Sequence, residues 1–79
     1  MKPLDNPDKN RINPVKLFMS KWTAVVPVNC EKHFLVTEVV KNEEGQVISC
    51  LLEAVTSGSN YEIDWHLLKN RKQWLMGWH

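Results

Sequence analysis

The most informative stretch for the architecture is HFLVTEVVKNEEGQVISCLLEAV, from His33 to Val55. Two apolar runs rich in β-branched residues, 33–41 and 47–55, flank the polar sequence NEEG, in which Gly45 suits a positive φ. Runs of this kind joined by a short polar turn are typical of a β-hairpin. We therefore predict two antiparallel strands at the centre of the fold.

The first of these strands carries apolar residues on both sides. Simple alternation places Phe34, Val36 and Val40 on one face and Leu35 and Val39 on the other. Because a flat sheet with one wet face would leave one of these sets exposed, we predict a curled sheet or an SH3-like barrel.

Further strands are predicted on either side of the hairpin. The segment KWTAVVPVN, residues 21–29, alternates in period two, and Pro27 should end the strand or mark a sheet edge. After the turn sequence SGSN at 57–60, the segment YEIDW, residues 61–65, alternates again. The sequence thus predicts about four antiparallel strands.

Short helical segments are predicted near both ends. Asn13-Pro14 is a good helix start, which favours one or two turns over 14–19. Near the C-terminus, Asp64 can cap a short helix and Asn70 a further turn, from which Trp74 and Leu75 would project before Gly77 ends it. The predicted fold class is α+β, mainly β.

Length and composition limit the number of domains and the location of the protein. The 79 residues leave room for one domain, predicted over 13–79, after a disordered tail over 1–12 that is rich in Pro, Asp and Asn. There is no apolar leader and no run of about twenty apolar residues, so we expect a cytoplasmic protein without a membrane partner. Cys30 and Cys50 should then be free thiols.

Five short motifs connect the chain to a known family. They are Asn13-Pro14, SKWTAV at 20–25, KHF at 32–34, LEAV at 52–55 and the closing Trp74-x-x-Gly77-Trp78. Together they cover about residues 11–78 and resemble a family of small tryptophan-rich bacterial proteins of unknown function. Relatives often have an acidic-Pro pair where this chain has Asn70-Arg71, which weakens the predicted helix start there. The resemblance implies a single small domain and no particular activity, cofactor or site residue.

Metal binding and catalysis receive little support from the sequence. Cys30 and His33 have a C-x2-H spacing, but zinc needs four ligands and a second close pair is absent. Cys30, Glu31 and His33 lie within four residues, yet catalytic groups are recognised by convergence in space. The three glycines are isolated and form no phosphate loop. We expect no metal, no cofactor and no catalytic residues.

A binding function is the remaining expectation. Basic residues lie beside aromatic ones, an interleaving used by surfaces that stack bases and contact phosphates, although the net charge is only +1. Three tryptophans, Trp22, Trp65 and Trp74, are predicted to be core, whereas Trp78 could be either core or an exposed platform. The candidate binding residues are Lys21, Lys69, Arg71, Lys72 and Trp78.

The predicted function is a noncatalytic binding module, and we rank nucleic acid ahead of another protein as the partner. The alternative is a protein-interaction module or a homodimerising structural protein, because exposed aromatic residues and sheet edges also bind proteins. The protein would be a monomer or a homodimer.

Overall fold

A computed structural model describes residues 9–79 of the chain, and within them five strands form one antiparallel sheet. The strands are β1 Lys21–Val28, β2 Glu31–Lys41, β3 Val47–Ala54, β4 Asn60–Ile63 and β5 Trp74–Met76. Their spatial order is β4-β3-β2-β1-β5. Because β4 and β5 lie at opposite edges and do not pair with each other, the sheet is open. The mainly β, antiparallel prediction is confirmed, whereas the four-strand count is wrong and the sheet does not close into a barrel.

A β-bulge in β2 changes the face assignments that the sequence pattern gave. Val36 pairs with Leu52, but the next pairing is Glu38 with Leu51, so that Thr37 is an extra residue. An extra residue shifts the alternation by one position. Val39, paired with the buried Cys50, therefore packs against the core on the side of Val36, the place that unbroken alternation assigned to Val40.

The core lies on one face of the sheet, where strand residues pack against the segments around Leu17 and Leu68. Trp22 is 2% exposed and Trp65 is also buried, which confirms two of the tryptophans predicted to be core. The buried apolar residues are Leu17, Trp22, Ala24, Phe34, Val36, Cys50, Leu52, Ala54, Trp65 and Leu68. Trp74 is half-buried and packs against this cluster from β5.

The helical segments are two short 3₁₀ turns, η1 Pro14–Lys16 and η2 Trp65–Lys69. Asn13 accepts a hydrogen bond from the backbone N of Val15, and Asp64 accepts one from that of His66, as their predicted capping roles require. The predicted helical turn carrying Trp74 and Leu75 is wrong. The chain turns after η2 and forms β5, because the free edge of β1 offers backbone groups with which residues 74–76 pair.

The N-terminal residues that the structure describes contact the rest of the fold. The side chain of Asn10 is buried and donates hydrogen bonds to the backbone oxygens of Leu68, at 2.7 Å, and Trp74, at 2.9 Å. Lys9 forms an isolated antiparallel bridge with Asn70. Of the predicted disordered tail, residues 1–8 lie outside the described residues. Within 9–79, no helix is long and apolar enough to cross a membrane.

Candidate functional site

The predicted binding residues fall into two groups that the fold does not bring together. Lys21 lies beside Trp78, with its Nζ 4.8 Å from the centre of the indole ring. Lys69 and Lys72 instead line a separate cleft of about 440 Å³, together with Lys9, His66 and Asn70. Arg71 is exposed in the turn between them.

These two groups lie on opposite faces of the sheet. Trp22 pairs with Phe34 on the core face, to which Leu68 of η2 also belongs. Lys21 and His33 are one position removed from that pair, so their side chains point to the other face. The single stacking surface that the sequence suggested is therefore divided by the thickness of the sheet.

The site around Trp78 is built by the last residues of the chain, which fold over β1 and β2. The Thr23 hydroxyl donates to the backbone oxygen of Gly77, at 2.7 Å, and accepts from the backbone N of His79, at 3.0 Å. Trp78 Nε1 donates to the backbone oxygen of Phe34, at 2.9 Å. This leaves the ring of Trp78 fixed at one edge and 43% exposed, between Lys21 and His33.

In the second group the aromatic ring is already covered. Lys69 Nζ lies 5.1 Å from the centre of the Trp65 ring, and the ring of His66 lies 4.1 Å from it on centroids. His66 also bonds the carboxylate of Asp64, whose pKa is lowered first by the backbone hydrogen bond from His66 and then by its side chain. Trp65 is buried beneath these groups and offers no free face for stacking.

An aromatic groove that sequence reasoning missed opens at one end of the core face. It has a volume of about 530 Å³ and is lined by residues from all five strands. Phe34 stands at its centre, with its ring nearly perpendicular to that of Trp74, at 81° and 5.3 Å, and steeply inclined to that of Tyr61, at 64° and 6.2 Å. The remaining lining residues are Ala24, Val26, Val28, Asn29, Glu31, Leu52, Ile63 and Gln73.

Among the described residues that line this groove, Glu31 is the only acidic one, and it is 7% exposed. One carboxylate oxygen accepts a hydrogen bond from the hydroxyl of Tyr61, at 2.6 Å, and the other accepts one from the hydroxyl of Ser57. These bonds, that from Ser57 first, lower the pKa of the Glu31 carboxyl below its ordinary value. The hydrogen bond that Tyr61 gives raises the pKa of its own hydroxyl.

Comparison with known proteins places the chain in a family. Residues 20–79 match the model of a family described as Tryptophan-rich protein (DUF2389). The chain belongs to this family. The match confirms the family resemblance that the short sequence motifs indicated. No curated protein and no solved structure matches the chain.

The sequence of this tryptophan-rich domain contained only weak indications of the aromatic groove. Tyr61 and Ile63 were correctly placed on one face by their alternation, and their strand is the edge β4. The position of Trp74 could not be predicted from the sequence, because it depends on the pairing of β5 with β1, a contact across some fifty residues of chain. Glu31 was considered only as a neighbour of Cys30 and His33.

The cysteines of the tryptophan-rich domain lie in different environments. Cys30 is exposed in the β1–β2 turn, and Cys50 is buried in β3, so both are free thiols. Burial raises the pKa of the Cys50 thiol to about 11, with a smaller contribution from Asp64. Within the described residues 9–79, no three His, Cys, Asp or Glu side chains come together as metal ligands.

Proposed function

We propose that this tryptophan-rich domain is a noncatalytic protein-interaction module that binds an apolar segment of another protein in the aromatic groove. The observation that carries the proposal is the groove itself, a concave apolar surface with exposed rim residues. Val26 and Val28 on its rim are 74% and 67% exposed. Exposed apolar surface grouped around a concavity marks sites of association in soluble proteins.

A second copy of the chain is a poorer occupant than a different protein. In a dimer with two-fold symmetry the same patch of each copy meets its equivalent, so the patch must complement itself. Two concave grooves facing each other would enclose a void and lose the contacts that packing supplies. A convex segment, with side chains that enter between Trp74 and Tyr61, fits the groove better.

A larger cleft of about 1030 Å³ lies near η1 and η2 but supports a binding function less well. Val15, Phe18 and Ile48 expose apolar surface there. The same cleft is lined by two acidic side chains, Glu38 and Asp64, and by the basic ones of Lys41 and His66, so it favours no sign of charge. The aromatic groove combines apolar walls with one acidic group and is therefore the more selective surface.

The test is a peptide library displayed on phage and selected on the immobilised domain, followed by affinity measurements with the selected peptides. We expect Val26→Asp to weaken binding about tenfold or more, because it places a charge in the apolar rim. Val25→Asp is the matched control, since Val25 is the neighbouring residue on the opposite face of the same strand, and it should change the affinity less than about twofold.

Two results would contradict the proposal. One is a set of selected peptides that bind the wild type and both aspartate variants equally well. The other is a stable homodimer, detected by light scattering, that dissociates when Val26 is replaced by Asp. Such a dimer would show that a second copy of the chain occupies the groove. Either result would assign the groove a role other than binding a foreign segment.

Single-stranded nucleic acid is a second candidate partner, favoured by the geometry at Trp78. A ring held at one edge, half exposed and beside Lys21, combines stacking with a phosphate contact. This candidate ranks below protein binding because the other predicted basic residues lie on the opposite face. Titration with single- and double-stranded oligonucleotides in about 50 mM salt, followed by tryptophan fluorescence, tests it. Absence of a Trp78-dependent quench would contradict it.

A further inference from the structure

Glu31 carries a negative charge in a largely buried position, and no basic side chain among residues 9–79 is paired with it. Its two carboxylate oxygens accept hydrogen bonds from the hydroxyls of Tyr61 and Ser57, and Ser59 contributes a weaker one; all three donors are neutral. Within residues 9–79, no lysine, arginine or histidine forms an ion pair with it. Neutral donors stabilise the carboxylate without cancelling its negative charge, so it can still attract a cation.

The hydroxyl groups also orient the carboxylate and keep it charged. A carboxylate has about four lone-pair sites, so it can accept a further hydrogen bond from an incoming donor. The lowered pKa of the carboxyl means that it is ionised at neutral pH. Glu31 and Phe34 both belong to β2, so this charge lies on the strand that carries the central aromatic ring of the groove.

The walls of the groove suit the rest of a basic side chain. The rings of Tyr61 and Trp74 pack at different angles against the buried ring of Phe34, and aromatic ring faces attract cations. The alkyl stems of lysine and arginine pack on apolar surface while their charged ends reach a polar group. A groove with aromatic and aliphatic walls and one carboxylate therefore complements a long, positively charged side chain.

We infer that Glu31 makes this end of the groove a receptor for a basic side chain, so that the bound segment carries a lysine or arginine among its apolar residues. The inference rests on the proposed function and adds to it the charge of the partner. Acidic and phosphorylated segments are excluded from the groove, because they would place a second negative charge beside the Glu31 carboxylate.

The experiment compares two small probes of equal length, n-hexylammonium and 1-hexanol. Each is titrated into the full ¹⁵N-labelled chain at pH 7, with the indole N–H signal of Trp74 as the reporter. We expect the ammonium to bind about tenfold more tightly, the gain of a charge-assisted hydrogen bond over a neutral one. Glu31→Gln should abolish this advantage and leave the affinity for 1-hexanol unchanged.

Glu53→Gln is the matched control. Glu53 pairs with Leu35 and lies on the other face of the sheet, so its loss changes the net charge equally but leaves the groove intact. The preference for the ammonium should survive this substitution. In the wild type, the preference for the ammonium should also fall as the salt concentration rises from about 50 to 500 mM. This measurement does not depend on whether a variant folds.

Two outcomes would overturn the inference. Equal affinity of the wild-type chain for both probes would show that the carboxylate does not act on a ligand in the groove. A preference for ammonium that survives Glu31→Gln would place the cation elsewhere. In both cases, binding of apolar peptides that is weakened by Val26→Asp would still support the proposed function. If no such binding were found, the proposed function itself would be overturned.

Discussion

Trp74 and Trp78 are four residues apart in the chain but lie on opposite faces of the sheet, in sites of opposite charge. Trp74 forms a wall of the apolar groove that contains Glu31. Trp78 lies half exposed beside Lys21 and His33. The spacing of two tryptophans in a sequence therefore does not determine whether they act together.

Gly77 is the cause of this separation. In a continued strand, Trp74, Met76 and Trp78 would all point to the core face, because side chains alternate with period two. Gly77 has a φ of +83°, a conformation that side-chain-bearing residues rarely adopt, and it turns the chain across the edge of β1. Its backbone N donates to Lys21 and its oxygen accepts from Thr23, which fixes the crossing.

The largest difference between the two tryptophans should be in stability. Trp74→Ala removes a half-buried ring that packs edge-on against Phe34, and we expect a loss of about 2–3 kcal/mol in the free energy of unfolding. Trp78→Ala removes a more exposed ring with one hydrogen bond and should lose about 1 kcal/mol. Urea unfolding of both variants measures the difference. Equal losses would mean that the two sites contribute alike to the fold.

Removing the hydroxyl that holds the C-terminal residues should release Trp78 while leaving Trp74 in place. Thr23→Val leaves the oxygen of Gly77 and the backbone N of His79 without their partner, which we expect to lower stability by about 1–2 kcal/mol. Thr56→Val, in an exposed turn, is the control.

The readout of this release is the pair of indole N–H signals in an NMR spectrum. The signal of Trp78 should shift towards that of a free indole in Thr23→Val, and the signal of Trp74 should not. If both signals move, the two faces are coupled through β5 and the separation of the sites is incomplete.

The turn at Gly77 offers a smaller effect. Gly77→Ala should lower stability by about 1 kcal/mol through its positive φ alone, because the nearest atom to the added Cβ, His79 Nε2, is 3.8 Å away.

Cys30 has a φ of 62° in the turn next to the groove, so Cys30→Gly should have the opposite sign and raise stability by about 0.5–1 kcal/mol. Thermal unfolding measures both, and a gain from Gly77→Ala would contradict the role of this turn.

The smallest expected effect is the pH dependence that Glu31 gives the groove face. Its pKa in the folded chain is lowered from 4.5, so its stabilising contribution is complete above that value. As the pH falls below 4.5 and through the lowered pKa, the carboxylate takes up a proton and the contribution is lost. The difference in urea midpoint between wild type and Glu31→Gln should therefore shrink from pH 7 to pH 3.

Asp64, whose pKa is also lowered, lies outside the groove and provides the comparison. Asp64→Asn should remove a separate part of the acid sensitivity, so that the two substitutions add. A wild type and a Glu31→Gln variant that lose stability in parallel down to pH 3 would show that the Glu31 carboxylate is not held by its two hydroxyl donors.

Local patterns predicted the central hairpin well. Asn42 and Gly45 form the predicted turn, in which the Asn42 side chain accepts hydrogen bonds from the backbone N of Glu44 and Gln46 and Gly45 has a φ of +81°. The bulge at Thr37 was not predictable from alternation, because its cause is the register that β2 adopts against β3. The error of grouping Val40, in place of Val39, with Phe34 and Val36 follows from that one residue.

The candidate site was predicted only in part, for a similar reason. Lys21 and Trp78 were named from the sequence and do lie together, whereas Lys69 and Lys72 were named with them and lie on the other face. Neighbours in sequence share an environment only when one regular element carries them. Here η2 and β5 are different elements joined by a turn.

By itself the sequence determined the antiparallel β class, the hairpin turn and the capping of both 3₁₀ turns, because each depends on residues close together in the chain. The burial of Trp22 and Trp65 was predicted from the large apolar area of their side chains. Only the tertiary structure decided that residues 74–76 add an edge strand to β1, that Trp78 crosses to the opposite face, and that Glu31 lies in the same groove as Trp74. These contacts join segments more than forty residues apart, and their free energy comes from burial and backbone pairing that no local pattern encodes.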